Sequence, residues 1–125
     1  MQNNEIIFYR TAQKECPMLD FLNGLDVKMR AKVTRTVDLL RDNGCDLREP
    51  YSKPLSDGIF ELRIKVGTNI TRVLYFFVIG NKIVLTHGFV KKTQKTPPAE
   101  IDRAKLYRAD YLSRQRENDE AGKEN

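Results

Sequence analysis

The sequence predicts a small α+β fold with a mainly antiparallel sheet packed by helices, in the order β-α-α-β-β-β-α. Apolar residues recur at helical spacing in the first third of the chain, whereas strict alternation begins at Ile59 and two glycine-containing turns then separate three strand-like runs. The chain has 125 residues, 40% hydrophobic and 31% charged, as is typical of one globular domain. We expect that domain to span residues 1–113. Residues 114–125 contain seven charged groups and one alanine, which predicts a disordered polar tail.

A strand and two helices come first. The β-branched and aromatic run at residues 5–9 predicts the strand. Pro17 suits the first turn of a helix, and Asp26 is placed to cap a second helix that ends at Asn43 before a glycine. The apolar stripes of this expected helical hairpin are Met18, Phe21, Leu22 and Leu25 in the first helix and Met29, Val33, Val37 and Leu40 in the second.

An irregular connection, three strands and a last helix follow. Residues 45–57 contain two prolines and are expected to form the connection, which carries Lys53. Alternation over residues 59–66 predicts a strand with one core face and one exposed face. The run at residues 70–79 is almost wholly apolar, so it should be a central strand covered on both faces except at its Arg72 end. Residues 82–90 form the third strand, and an apolar stripe after Pro98 predicts the helix.

The residue types leave few ligands for a metal and no motif for a nucleotide cofactor. Cys16 and Cys45 lie far apart in no ligand-like spacing, the chain has one histidine, and it contains neither GxGxxG nor GxxxxGK[ST]. We therefore expect no cofactor and no metal. The sequence lacks a membrane-length apolar run and a signal-peptide pattern, so we expect a cytoplasmic protein with no membrane partner.

Basic residues dominate the charge. The net charge is +5, and it becomes +6 without the tail, because residues 114–125 hold three basic and four acidic groups. Lys91, Lys92 and Lys95 fall within seven residues that contain no acid. This segment predicts contacts with a polyanion such as RNA.

Three segments together carry a resemblance to a known group of proteins. They are GxxELR at residues 58–63, RVLY at residues 72–75 and FVKKTQKTP at residues 89–97. With the flanking elements, over about residues 5–112, they resemble the RelE/ParE toxin superfamily and most closely its phage-derived HigB-type branch. The resemblance implies a microbial-RNase-like fold, metal-free cleavage of mRNA on the ribosome, and a tightly bound antitoxin.

The residue chemistry agrees with a nuclease. RNA cleavage without a metal needs a base for the 2′-hydroxyl, cations for the phosphorane, and an acid for the leaving oxygen. Arg63, Arg72 and the lysines after the third strand of the meander would converge at one end of an antiparallel sheet. The resemblance assigns catalytic roles to Arg63, Arg72 and Lys91 or Lys92. It matches Lys53 to a loop lysine, and Lys53, Lys65, Lys91, Lys92 and Lys95 are expected to bind RNA or the ribosome.

The resemblance is incomplete at the catalytic base. RelE-type enzymes use a tyrosine in the terminal segment, where this chain has none before Tyr107, and the C-terminal histidine of HigB-type enzymes is absent. A lysine with a lowered pKa or a ribosomal group would then serve as base. His87 is a further catalytic candidate, but its alternation with Ile83, Leu85 and Phe89 favours a hydrogen-bonded core histidine.

Other interpretations of the cations remain open. Arg63, Lys65 and the three clustered lysines can be ordinary solvated side chains, and Arg72 can be a structural partner of Glu61. If Arg72 acts on the transition state, Arg72→Ala should abolish growth arrest and leave folding nearly intact.

Partners and alternative functions follow from the same resemblance. It implies an antitoxin of the helix-turn-helix class encoded by the adjacent gene, the ribosome and mRNA as targets, and operator DNA only through the antitoxin complex. The ParE branch implies a gyrase-inhibiting toxin instead. A third alternative is a non-catalytic basic module that binds RNA or a protein partner.

Overall fold

The fold consists of three helices and five strands in a computed structural model that describes residues 4–91 and 94–123. The helices are α1 (Pro17–Asn23), α2 (Val27–Asn43) and α3 (Pro98–Lys123), with a short 3-10 turn at Gly44–Asp46. The strands are β1 (Glu5–Phe8), β2 (Ser52–Ser56), β3 (Ile59–Val66), β4 (Asn69–Val78) and β5 (Lys82–Lys91).

The strands form one sheet in the order β1-β5-β4-β3-β2. β1 runs parallel to β5, and every other neighbouring pair is antiparallel. The predicted α+β class, with a mainly antiparallel sheet packed by helices, is therefore confirmed. The expected irregular connection at residues 45–57 is wrong in part, because β2 pairs with β3 there as an edge strand. Its Pro54 lacks an N–H, which an edge position tolerates.

Helices cover both faces of the sheet. On one face, α1 and α2 pack Met18, Val33 and Leu40 against the apolar residues of β3, β4 and β5. On the other face, which we call the α3 face, Ala104 and Tyr111 of α3 pack against Leu74 and Phe76 of β4 and their neighbours. The central position of β4 and its cover on both faces are thus confirmed. Within residues 4–91 and 94–123, no helix has the length and apolarity needed to cross a bilayer.

The ends of α2 follow the predicted signals. The Asp26 carboxylate accepts a hydrogen bond of 2.7 Å from the backbone N–H of Met29, which satisfies one of the donors that a helix start leaves free. The helix ends at Asn43, and Gly44 adopts a φ of 55° that a residue with a Cβ rarely takes.

The last helix continues where we predicted a disordered tail. Its backbone is helical through Lys123. Arg114 connects this end of α3 to the residue that follows β1, because its guanidinium lies 5.6 Å from the ring centre of Tyr9. The same guanidinium pairs with Asp110 of α3 at 2.8 Å. Residues 115–121 are mostly good helix formers, so a helix anchored at Arg114 extends through them.

Candidate functional site

The strand register places the predicted cations in neighbouring rows of the α3 face. In an antiparallel sheet, paired residues project their side chains from the same face. The register gives three successive rows, which are Lys53, Glu61, Leu74 and His87; then Arg63, Arg72 and Phe89; then Lys65, Ile70 and Lys91. The expected convergence of Arg63, Arg72 and Lys91 at one end of the sheet is therefore present.

His87 lies on this face because of a β-bulge. The register of β4 and β5 shifts between Leu74 paired with His87 and Tyr75 paired with Leu85, so Thr86 is an extra residue. A bulge of this kind reverses the alternation of the side chains that follow it. The interpretation that His87 shares a face with Ile83 and Leu85 is wrong, since Ile83 and Leu85 pack under α1 and α2, although His87 is a buried, hydrogen-bonded residue as expected.

Glu61 lies at the centre of the cation rows. Its carboxylate is 3.3 Å from Nε of Arg63 and 3.5 Å from Nε of Arg72. The hydroxyl of Thr96 donates a short hydrogen bond to the same carboxylate. Only 1% of Glu61 is exposed, so the predicted exposed face of β3 is wrong at this residue, although Lys65 on the same face is exposed. A buried carboxylate is stable when cations and donors surround it in this way.

Arg72 is a buried partner of Glu61 and does not mark an uncovered end of β4. Its exposed fraction is 0%, and burial lowers the pKa of its guanidinium, an effect that the Glu61 carboxylate opposes. The prediction that the cover of β4 ends at Arg72 is wrong, because residues 94–96 contact both Glu61 and Arg63 on the neighbouring strand.

Arg63 is the arginine of this pair that reaches solvent. Its side chain is 18% exposed, and its Nη2 donates a hydrogen bond of 3.2 Å to the carbonyl of Gln94. Glu61 and Gln94 therefore fix the guanidinium from two sides while leaving part of it accessible. A fixed, partly desolvated guanidinium with free donor positions suits a phosphate.

The lysines surround this centre at the surface. Lys53, Lys65, Lys91 and Lys95 are exposed, and Lys65 and Lys91 share the row next to Arg63. Lys53 occupies the edge strand opposite Glu61. Lys92, a predicted catalytic residue, lies outside the described residues.

His87, which ends the first row on β5, and Glu100 of α3 form a second polar group. Nε2 of His87 donates a hydrogen bond of 3.2 Å to the carboxylate oxygen Oε1 of Glu100, and Nδ1 lies 3.1 Å from the Thr86 hydroxyl. Burial, with the nearby Arg103 charge, lowers the pKa of His87 to about 4, although Glu100 acts in the opposite direction. His87 is therefore neutral at physiological pH. It is 1% exposed, whereas the side chain of Glu100 is 20% exposed.

The ring of Tyr107 completes the second polar group. It meets the His87 ring edge-on at 5.8 Å between ring centres, and its hydroxyl accepts a hydrogen bond of 2.9 Å from Arg103. A tyrosine of the terminal helix thus lies at the site, although the chain has none in the preceding segment where RelE-type enzymes carry theirs. In the described part of the chain, no three His, Cys, Asp or Glu side chains are placed to hold a metal ion.

Sequence reasoning missed three contributors to the site. Thr96 and Glu100 are brought to the sheet by the turn into α3. Thr96 lies within the segment 89–97 that carries the resemblance but was assigned no role there, and Glu100 has no motif of its own. Glu61 was considered only as a structural partner of Arg72, although its place two residues before Arg63 on an alternating strand was a usable signal.

The comparison with known families identifies the chain. The sequence model described as phage-derived protein Gp49-like (DUF891) matches residues 20–108. The chain belongs to the Gp49-like family. This family is of RelE-like toxin type and is associated with toxin–antitoxin pairs, so the predicted relationship to RelE-like toxins is confirmed at that level. The match begins within α1 and ends at Arg108, less than halfway along α3, and it includes every described residue of the cation rows. None of the curated proteins matches the chain.

Proposed function

We propose that this Gp49-like protein is the toxin of a type II toxin–antitoxin pair and cleaves mRNA on the ribosome without a metal. The observation that carries the proposal is the fixed guanidinium of Arg63 within rows of cations on one sheet face. Arg63 would stabilise the extra negative charge of the phosphorane, and Lys65, Lys91 and Lys95 would bind the RNA backbone and ribosomal RNA. The HigB-like branch and cytoplasmic action are parts of the same proposal.

Arg72 acts in this proposal by positioning Arg63 through Glu61. Because Arg72 is fully buried and Arg63 is not, Arg63 is the arginine that meets the scissile phosphate. Two arginines share one carboxylate, so neither guanidinium can turn freely around Glu61. The catalytic roles we predicted for Arg72 and His87 become supporting roles.

We assign to Glu100 the role of the base that removes the proton of the 2′-hydroxyl. Removal of the 2′-hydroxyl proton requires a base that reaches the substrate. Glu100 is partly exposed and its carboxylate is oriented by His87, whereas His87 itself is covered. Glu100→Gln should reduce the cleavage rate by about 10²- to 10⁴-fold and leave ribosome binding unchanged.

Partners follow from the toxin class. The family's association with toxin–antitoxin pairs indicates an antitoxin, and a basic surface suits an acidic inhibitor. We propose an antitoxin of helix-turn-helix type that covers the cation rows and alone contacts the operator DNA of the pair.

Expression in a bacterium without the antitoxin tests the function. Wild-type protein should arrest growth and create new mRNA 5′ ends inside translated codons. Arg63→Ala should abolish both effects, while Arg35→Ala, an exposed arginine of α2 outside the site, should abolish neither. Arrest with intact mRNA and a DNA damage response would contradict the proposal in favour of a gyrase poison. No arrest would favour a non-catalytic binding module.

A further inference from the structure

A cavity lies beside the cation rows, at the open edge of β3. β2 pairs with β3 from Ile59 to Leu62, and the residues of β3 that follow are framed instead by α2 and by residues 49–51. The cavity has a volume of about 640 Å³, within the range of about 300–1,000 Å³ typical of small-ligand sites. Its lining includes Lys32, Glu49, Tyr51, Arg63 and Lys65.

The lining carries three cations and one acid. Lys32, Arg63 and Lys65 are its basic lining residues and Glu49 is its acidic one. Nζ of Lys32 donates a hydrogen bond of 2.8 Å to the carbonyl of Lys65, so its ammonium group is held across the cavity from α2 to β3. A concave site of this charge favours an anion.

Tyr51 adds an aromatic surface to the same cavity. Tyr51 is 46% exposed. The backbone carbonyl of Tyr51 accepts a hydrogen bond of 2.8 Å from the N–H of Arg63, which fixes this residue to β3. A half-exposed ring beside cations is the combination with which proteins bind single-stranded RNA, since the base stacks and the phosphate meets the charges. A simple carboxylate ligand has no aromatic base that could stack on the ring of Tyr51.

We propose that this cavity binds one nucleotide of single-stranded RNA, with its base on Tyr51 and its phosphate between Lys32 and Lys65. Arg63 lines the cavity and also belongs to the cation rows, so the bound nucleotide would neighbour the scissile phosphate. The inference rests on the proposed nuclease function and adds a substrate subsite to it.

Binding of a non-cleavable RNA tests the subsite. The probe is a fluorescein-labelled RNA hexamer with 2′-O-methyl groups, and the readout is the anisotropy of the full chain at several salt concentrations. Tyr51→Ala should weaken binding at least fivefold, roughly the smallest effect of one lost base stack, whereas Tyr51→Phe should change it less than twofold. Lys32→Gln should reduce the slope of log affinity against log salt by about 0.7.

Lys28→Gln is the matched control. Lys28 is exposed on the same helix one turn before Lys32 and does not line the cavity, so the salt slope should stay at the wild-type value. Thermal unfolding of each variant checks that the fold is retained. An unchanged affinity for Tyr51→Ala, a slope equally reduced by Lys28→Gln, or no hexamer binding by the wild-type chain would overturn the inference.

Two further outcomes separate the subsite from its alternatives. If hexaglutamate displaces the RNA equally well and Tyr51→Ala weakens both ligands alike, the cavity takes an acidic peptide and the nucleotide assignment is wrong. If the hexamer binds through Tyr51 and Lys32 but the chain cuts no mRNA in cells, the subsite stands and the proposed nuclease fails. Cleavage in cells with no effect of these variants on binding would contradict the subsite alone.

Discussion

At the scale of single residues, the carboxylate of Glu61 determines where two arginines point. It contacts Arg63 at 3.3 Å and Arg72 at 3.5 Å, and one of these partners is fully buried. Neighbouring arginines repel each other, and the carboxylate that contacts both of them offsets this repulsion. Arg72 and Arg63, which look alike in the sequence, therefore differ in their access to solvent.

Replacement of Arg72 should cost stability. Arg72→Ala leaves the buried Glu61 carboxylate without its buried partner, and loss of one member of a buried ion pair costs about 3–5 kcal/mol. This replaces our expectation that the variant folds normally. The free energy of unfolding from urea titration measures the effect, with Lys65→Ala, exposed on the neighbouring strand, as a control that should change it by less than about 0.5 kcal/mol. Equal stability of the two variants would contradict the paired role of Arg72.

Titration of His87 should make the fold sensitive to acid. The pKa of His87 is about 4 in the folded chain, against 6.5 for an unperturbed histidine. The unfolded chain therefore binds a proton first as pH falls, and stability present above pH 6.5 is lost between pH 6.5 and 4. The free energy of unfolding should fall by about 3 kcal/mol over this interval, because each unit of difference in pKa corresponds to about 1.4 kcal/mol.

His87→Gln provides the control for this pH dependence. Glutamine retains a donor for Glu100 but does not titrate, so its unfolding free energy should vary less with pH over the same interval. Urea titrations at pH 7, 5.5 and 4.5 make the comparison. Parallel pH profiles for the wild type and His87→Gln would show that His87 is not the source of the acid sensitivity.

At the scale of elements, regular patterns predicted the structure and irregular ones did not. β3, the start of α2 and the central position of β4 followed from alternation, a capping aspartate and an apolar run. The bulge at Thr86 has no signal in a single sequence, and it moved His87 to the α3 face. β2 was hidden because Pro54 argues against a strand unless that strand lies at an edge.

The packing of α1 against β5 depends on a glycine. A Cβ on Gly88 would collide with the ring of Phe21, so Gly88→Ala should destabilise the fold by about 1–3 kcal/mol. Gly24→Ala is the matched control, because Gly24 has a φ of −84° and ordinary space around its Cα. It should be neutral or stabilising by up to about 1 kcal/mol.

Thermal unfolding of the two alanine variants distinguishes packing from the general effect of replacing a glycine. A second change, Phe21→Leu in the Gly88→Ala background, should recover part of the lost stability because the smaller side chain makes room for the new methyl group. If Gly88→Ala and Gly24→Ala unfold at the same temperature, the close approach of Phe21 to β5 is not a feature of the folded protein.

At the scale of the whole molecule, the two sheet faces differ in their chemical character. The face under α1 and α2 is a conventional apolar core, whereas the α3 face combines an apolar part with the cation rows and the Glu61 carboxylate. The net charge of +5 predicted a polyanion partner, and the register shows which lysines and arginines share one surface. The path of residues 94–96 over the sheet decides that Arg63 is accessible and Arg72 is not. No sequence pattern predicts that path.

Cleavage of mRNA on purified ribosomes tests the central claim most directly. Programmed ribosomes are mixed with the purified chain or with Arg63→Ala, and the new 5′ ends of the message are mapped. We predict cuts within codons on the ribosome for the wild type, and a rate reduced at least 100-fold for Arg63→Ala with ribosome binding largely kept. Equal cleavage by both proteins, or an uncut message with the wild type, would contradict the assignment of the cation rows as a nuclease site.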